Sequence, residues 1–138
     1  MQQKRRQIMQ TAINFVKIYP LTTLLVIFIW VICVIPIPET PLSNVTFADK
    51  WTHLVMYFSL SMCVAHEYFR KHKKIGKKPL LLYIWLLPVV MGGLVEIVQA
   101  TCTNGVRNGD WLDFVANGSG STLALPVCVL LATLRSKG

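Results

Sequence analysis

Four apolar segments dominate the sequence, and each is long enough to cross a lipid bilayer. They cover approximately residues 15–35, 51–69, 79–100 and 111–134. A helix that crosses a hydrocarbon core of about 30 Å needs about 20 mainly apolar residues. Because lipid offers no partner to unpaired backbone groups, and no alternating strand pattern is present, the segments predict helices. We therefore expect an all-α polytopic membrane protein, a bundle of four transmembrane helices forming a single domain over residues 1–138.

The composition agrees with this class of protein. Hydrophobic residues make up 54% of the chain and charged residues only 14%, whereas about a quarter of the residues in a soluble domain are charged. The opening MQQKRR, followed by an apolar run, also resembles a signal peptide. No small-x-small cleavage site follows in VICVIPIPET, so we expect a first membrane helix there instead.

The net charge of +8 is distributed very unevenly along the chain. Basic residues precede the first segment, fill the loop RKHKKIGKK at 70–78 and follow the fourth segment, whereas the other side has only Lys50 and Arg107. The positive-inside rule then predicts that both termini and the basic loop are cytoplasmic. Since topology explains the positive charge, we expect no nucleic-acid partner.

Polar side chains are predicted to converge at the outer ends of three segments. They are Asp49, Lys50, His53, Glu96, Gln99, Arg107, Asp110, Asp113 and Asn117. Helical spacings of three, four and seven residues place them in stripes that share a face. Because an ionised side chain in lipid is costly, the stripes should face one another across a wet, outward-opening cavity. These nine residues are the candidate ligand-binding residues.

Structural alternatives remain open for the same residues. Asp49 and Asp110 could cap helices, since Asp is a favoured N-cap, and His53 could be a hydrogen-bonded interior group. An internal ion-pair network could also join Glu96 and Asp113 to Arg107 or Lys50 and tie three helices together. At the cytoplasmic end, the sequence predicts that Glu67 and His66 pair with Arg70 or Lys71.

Two kinds of chemistry fit a polar cavity of this composition. Lys50 and Arg107 could hold the phosphate of an anionic lipid through charge-assisted hydrogen bonds. Alternatively, Glu96, Asp110 and Asp113 could bind Mg²⁺ or Ca²⁺, which favour oxygen ligands. A metal-polarised phosphate, with His53 or Glu96 as the catalytic base, would give a hydrolase or transferase. No Ser or Cys stands clearly beside a base, so the sequence leaves enzymatic activity open.

The motifs, taken in order, resemble those of a known family. D-K-x2-H at Asp49–His53, E-x2-Q at Glu96–Gln99 and R-x2-D-x2-D-x3-N at Arg107–Asn117 follow one another on matching segments. This order resembles the VanZ-like family of small bacterial membrane proteins over roughly residues 20 to 135. In the loop before Arg107, the sequence TNGVRNGDW departs from relatives that carry an aromatic residue or Pro-Gly there.

The resemblance implies a place in the bacterial inner (cytoplasmic) membrane and a site at the nine polar positions. Founding members of the family are associated with resistance to teicoplanin, a glycopeptide that binds lipid-linked cell-wall precursors outside the membrane. The expected partner is therefore an anionic cell-envelope lipid or a lipid-linked precursor, which the protein would bind or modify.

Overall fold

The computed structural model describes residues 1–36, 47–105 and 109–137, and these form helices without a strand among them. The helices are α1 (Gln2–Ile18), α2 (Pro20–Val34), α3 (Ala48–Lys71), α4 (Lys77–Cys102) and α5 (Trp111–Lys137). The predicted all-α class is therefore confirmed for the described residues.

The first apolar segment differs from the single helix predicted over 15–35. The chain breaks at Tyr19, and α1 and α2 are bent by 102° relative to each other. Proline disfavours the helical conformation in the residue before it, and Tyr19 has φ −122° and ψ 60°. Pro20 then begins α2, where its missing N–H breaks no helical hydrogen bond.

A buried carboxylate from α3 holds the start of α2. The Glu67 oxygens accept hydrogen bonds from the backbone N–H groups of Leu21 (2.8 Å) and Thr22 (3.0 Å). These N–H groups have no partner within their own helix, and the helix dipole favours an anion beside them. Glu67 therefore caps α2, a role that the predicted pairing with Arg70 or Lys71 did not include.

Two of the described helices, α4 and α5, are long and apolar enough to cross a membrane. The number is three if the bent pair α1–α2 counts as one broken span. Helix α3 has 24 residues, which is about 36 Å and sufficient in length. It is less apolar than α4 and α5, and several of its polar side chains, among them His53, Ser61 and Glu67, are buried.

Helix α3 lies at the centre of the fold, with α2, α4 and α5 against it. Its closest neighbour is α5, where a side chain at Gly120 would collide with the Leu54 carbonyl oxygen of α3. Helix α4 contains a π-helical stretch, Leu80–Leu86, just before Pro88. Since Pro88 has no N–H to donate to the preceding turn, the wider turn accommodates it.

Candidate functional site

A polar cluster lies where the start of α3 meets the end of α4 and the start of α5. Lys50, in the first turn of α3, places its Nζ atom 2.8 Å from both Asp110 Oδ2 and Asp113 Oδ1. A third carboxylate oxygen, Asp49 Oδ2, lies 3.9 Å from the same ammonium group. Lys50 therefore joins α3 to α5 and is already surrounded by negative charge.

Asp110 has two structural roles at the start of α5. Its Oδ1 atom accepts a hydrogen bond from the Leu112 N–H (3.0 Å), and its carbonyl accepts from Asp113 and Phe114. This is the capping role expected for Asp at a helix start. The hydrogen bond from the Lys50 ammonium lowers the pKa of Asp110, and the Leu112 N–H acts in the same direction.

Close packing of the backbone brings Asp110 to α4. A side chain at Gly109 would collide with the Glu96 carbonyl oxygen, so only glycine permits this approach. The Asp110 N–H donates a hydrogen bond to Glu96 Oε2 (3.1 Å) as a result. The Glu96 side chain thus holds the two residues that precede α5.

A chain of hydrogen bonds connects Glu96 to His53 through Asn117. Asn117 Nδ2 donates to Glu96 Oε1 (3.2 Å), and Asn117 Oδ1 lies 2.9 Å from His53 Nδ1. Because an amide oxygen only accepts hydrogen bonds, His53 Nδ1 must carry the proton. The other ring nitrogen, Nε2, is thereby left as the acceptor or ligand atom of the neutral imidazole.

His53 Nε2 faces two carboxylates that could share a cation with it. It lies 3.9 Å from Asp49 Oδ1 and 4.0 Å from Asp113 Oδ2, the oxygens that do not face Lys50. One ligand atom from each of Asp49, His53 and Asp113 lies within 4.8 Å of the others. Ligands at about 2.0–2.6 Å from a single ion have separations of this size.

This trio differs from the metal ligands expected from the sequence. Glu96 uses both carboxylate oxygens for Asn117 and the Asp110 N–H, and Asp110 uses both for Lys50 and Leu112. Of the three expected metal ligands, only Asp113 belongs to the group formed by Asp49, His53 and Asp113. An imidazole nitrogen widens the suitable ions beyond Mg²⁺ and Ca²⁺ to Mn²⁺ and Zn²⁺.

Of the eight predicted site residues that the structure describes, all but Gln99 lie in the cluster. Seven of them form the cluster: Asp49, Lys50, His53, Glu96, Asp110, Asp113 and Asn117. Gln99 instead donates from Nε2 to the Cys33 carbonyl (2.8 Å) and so joins α4 to the end of α2. Arg107 lies outside the described residues.

The cluster is polar but mostly enclosed. His53, Asp113 and Asn117 are buried, whereas the Asp49 side chain is 56% exposed and marks the side open to solvent. A separate cavity of about 560 Å³ lies between the end of α1 and helices α2, α3 and α4, and is lined by residues such as Phe15, Leu60 and Met91. Its lining includes none of the seven cluster residues.

Comparison with known proteins identifies no relative of this chain. No protein-family model, no curated protein and no solved structure matches the chain.

Proposed function

We propose that the cluster binds a divalent cation through Asp49, His53 and Asp113, and that the cation holds the phosphate of an anionic cell-envelope lipid. The observation that carries the proposal is the convergence of His53 Nε2 with carboxylate oxygens of Asp49 and Asp113. The two oxygens are the ones that do not face Lys50, and all three atoms are suitable ligands for a small cation.

The charge of the cluster favours a cation over a bare anion. Among the described residues it contains four carboxylates, from Asp49, Glu96, Asp110 and Asp113, and one ammonium, from Lys50. An approaching phosphate would meet excess negative charge, and Lys50 already donates to Asp110. A divalent cation removes this repulsion and supplies the positive charge that the phosphate needs.

The position of the cluster suggests that the phosphate belongs to a lipid. It lies at the end of α4 and the start of α5, and these are the two described helices that are long and apolar enough to cross a membrane. A lipid headgroup at the bilayer surface could reach the exposed side at Asp49 while its chains remain in the hydrocarbon region. We propose a lipid-linked precursor or a related envelope lipid as the ligand.

We further propose that the chain is a VanZ-like protein of the bacterial cytoplasmic membrane, with four membrane-crossing helices and cytoplasmic termini. The ordered motifs support the family, and the basic residues at one end of α3, α4 and α5 support the orientation. The cluster would then face the outside, where such precursors are used. Any effect on glycopeptide susceptibility would follow from binding them.

Binding is better supported than turnover. Both Glu96 oxygens accept hydrogen bonds, and His53 would use Nε2 as a ligand, so neither candidate base is available in this arrangement. A purely structural network is the second candidate, because Lys50 joins α3 to α5 through Asp110 and Asp113.

Asp49→Asn separates binding from the structural alternative. Asp49 is exposed and its contacts with Lys50 and His53 are 3.9 Å long, so its contribution to stability is small, about 0–1 kcal/mol. The test is native mass spectrometry of protein purified with its membrane lipids, before and after treatment with a chelator. His66→Gln, which changes an exposed histidine at the other end of α3, is the matched control.

The expected result is a phosphate-bearing lipid that is retained by the wild type and by His66→Gln. Chelation should release the lipid, addition of Mg²⁺ or Mn²⁺ should restore it, and Asp49→Asn should lose it without unfolding. Lipid retention that is indifferent both to the chelator and to Asp49→Asn would reject the proposal and favour the structural network.

A further inference from the structure

Helix α1 has a surface that the rest of the described chain leaves uncovered. None of its residues is buried, and the apolar side chains Ile8 and Met9 are 61% and 59% exposed. Most of the stability of a helix in a protein comes from the packing of its apolar face against other groups. Something other than the described residues must therefore cover its apolar side.

The side chains of α1 separate into two faces. At 3.6 residues per turn, the apolar residues Ile8, Met9, Ala12, Ile13 and Val16 share one face. The opposite face is polar and carries Gln7, Gln10, Thr11, Asn14 and Lys17. Of the other basic residues, Lys4 and Arg6 border the apolar face, and Arg5 lies in line with it one turn before Ile8. The helix contains four basic residues and no acidic one. An apolar face bordered by positive charge is typical of a helix that lies in a membrane surface.

The bend at Tyr19 gives α1 the orientation that this location requires. Since α1 and α2 are bent by 102°, a membrane-crossing α2 leaves α1 close to parallel with the bilayer. Pro20 and the Glu67 cap both fix the start of α2 at this corner. The orientation of α1 is therefore determined by the fold and not by the helix alone.

The length of α2 agrees with the same placement. Its 15 residues extend about 22 Å, which is shorter than a hydrocarbon core of about 30 Å. A surface helix buries its apolar face about 5–10 Å into the boundary between headgroups and acyl chains. If α1 lies at that depth, α2 begins below the surface and its length nearly covers the remaining thickness.

We propose that α1 is an in-plane membrane anchor that binds the anionic surface of the leaflet beside the basic loop 70–78. Ile8, Met9, Ile13 and Val16 enter the lipid, and the basic side chains contact anionic headgroups. The partner is a lipid surface, and the proposal is independent of the cation site at the other end of α3.

Two neighbouring substitutions, one on the apolar face and one on the polar face, provide the test. Ile13→Glu and Asn14→Glu each add one negative charge at nearly the same height, but only Ile13→Glu puts it on the apolar face. The full chain is reconstituted in vesicles of phosphatidylcholine, with or without phosphatidylglycerol, and backbone hydrogen exchange is measured along α1. The amides of α5 serve as an internal reference for folding.

In vesicles with phosphatidylglycerol, the wild-type amides of α1 should exchange slowly. Ile13→Glu should accelerate their exchange roughly 10-fold or more, because the apolar contact is lost. Asn14→Glu and Arg6→Gln should each accelerate it only about fivefold, and this smaller effect should disappear in phosphatidylcholine alone. In every variant the α5 amides should stay protected.

Three results would overturn the proposal. Fast exchange of wild-type α1 in all vesicles would show a solvated helix. Equal effects of Ile13→Glu and Asn14→Glu would show a helix enclosed on all sides, as in a membrane crossing. Protection that rises with the density of protein in the vesicle would show that a second copy of the chain covers the face.

Discussion

At the scale of single residues, Asn117 explains why the cluster has a defined arrangement. Its amide donates to Glu96 and accepts from His53, so one side chain fixes the roles of two titratable neighbours. The sequence predicts that Asn117 shares a helical stripe with Asp110 and Asp113. It does not predict which neighbour each atom meets, because that depends on the rotation of α3 and α4 against α5.

The metal trio illustrates the same difficulty. The spacing of Asp49 and His53 correctly predicts a shared helical face, and both residues lie in the cluster. The expected ligands Glu96 and Asp110 have their oxygens occupied instead by an amide, an ammonium and backbone N–H groups. Backbone donors such as the Asp110 N–H carry no sequence signal, so this part of the site could not be predicted.

The Lys50–Asp110 pair should make the stability of the protein depend on acid pH. Because Lys50 lowers the pKa of Asp110 in the folded state, the stabilisation is complete above the ordinary Asp pKa and is lost as the pH falls below it. Thermal unfolding in detergent should therefore show a steeper loss of stability on acidification for the wild type than for Asp110→Asn. Parallel pH profiles for the two proteins would contradict this role.

At the scale of helices, the break between α1 and α2 depends on a local signal and a distant one. The Tyr19-Pro20 pair is visible in the sequence and predicts a helix boundary. The cap from Glu67 is not visible, because it joins residues 45 and 46 positions apart. The sequence instead predicts that Glu67 pairs with Arg70 or Lys71, because these basic residues lie one helical turn away.

Removal of the Glu67 cap should destabilise the corner. Glu67→Ala leaves the Leu21 and Thr22 N–H groups without their acceptor, and we expect a loss of about 1–3 kcal/mol in the free energy of unfolding. Chemical unfolding in detergent micelles measures it. The adjacent exposed residue provides the control, since His66→Ala should change stability by less than about 0.5 kcal/mol. Equal losses of unfolding free energy in Glu67→Ala and His66→Ala would mean that the cap does not stabilise the corner.

Two glycines on α5 should respond oppositely to the same substitution. A Cβ atom at Gly120 would collide with the Leu54 carbonyl of α3, so Gly120→Ala should cost about 1–3 kcal/mol. A Cβ atom at Gly118 meets nothing within 4 Å, so Gly118→Ala should be neutral or stabilise the helix by up to about 1 kcal/mol. Thermal melts of the two variants give the comparison, and a stable Gly120→Ala protein would contradict the close contact of α3 with α5.

At the scale of the whole molecule, the two ends of α3 have different chemistry. One end gathers four carboxylates around Lys50 and His53. The other end carries Arg70 and Lys71, and Lys77 and Lys78 begin α4 beside it. This polarity was predicted from the sequence, because the charges of each loop follow directly from where the apolar segments end. The cavity lined by residues of α1, α2, α3 and α4 was not predicted, because it depends on how these helices pack against one another.

The proposed site for a divalent cation consists of Asp49, His53 and Asp113. Electron paramagnetic resonance of the purified protein titrated with Mn²⁺ tests this site, because coupling to an imidazole nitrogen identifies a histidine ligand. We expect one bound Mn²⁺ with this coupling in the wild type and in His66→Gln, no coupling in His53→Gln, and weaker binding in Asp49→Asn. A Mn²⁺ signal without nitrogen coupling, or binding that is unchanged in His53→Gln and Asp49→Asn, would contradict the claim.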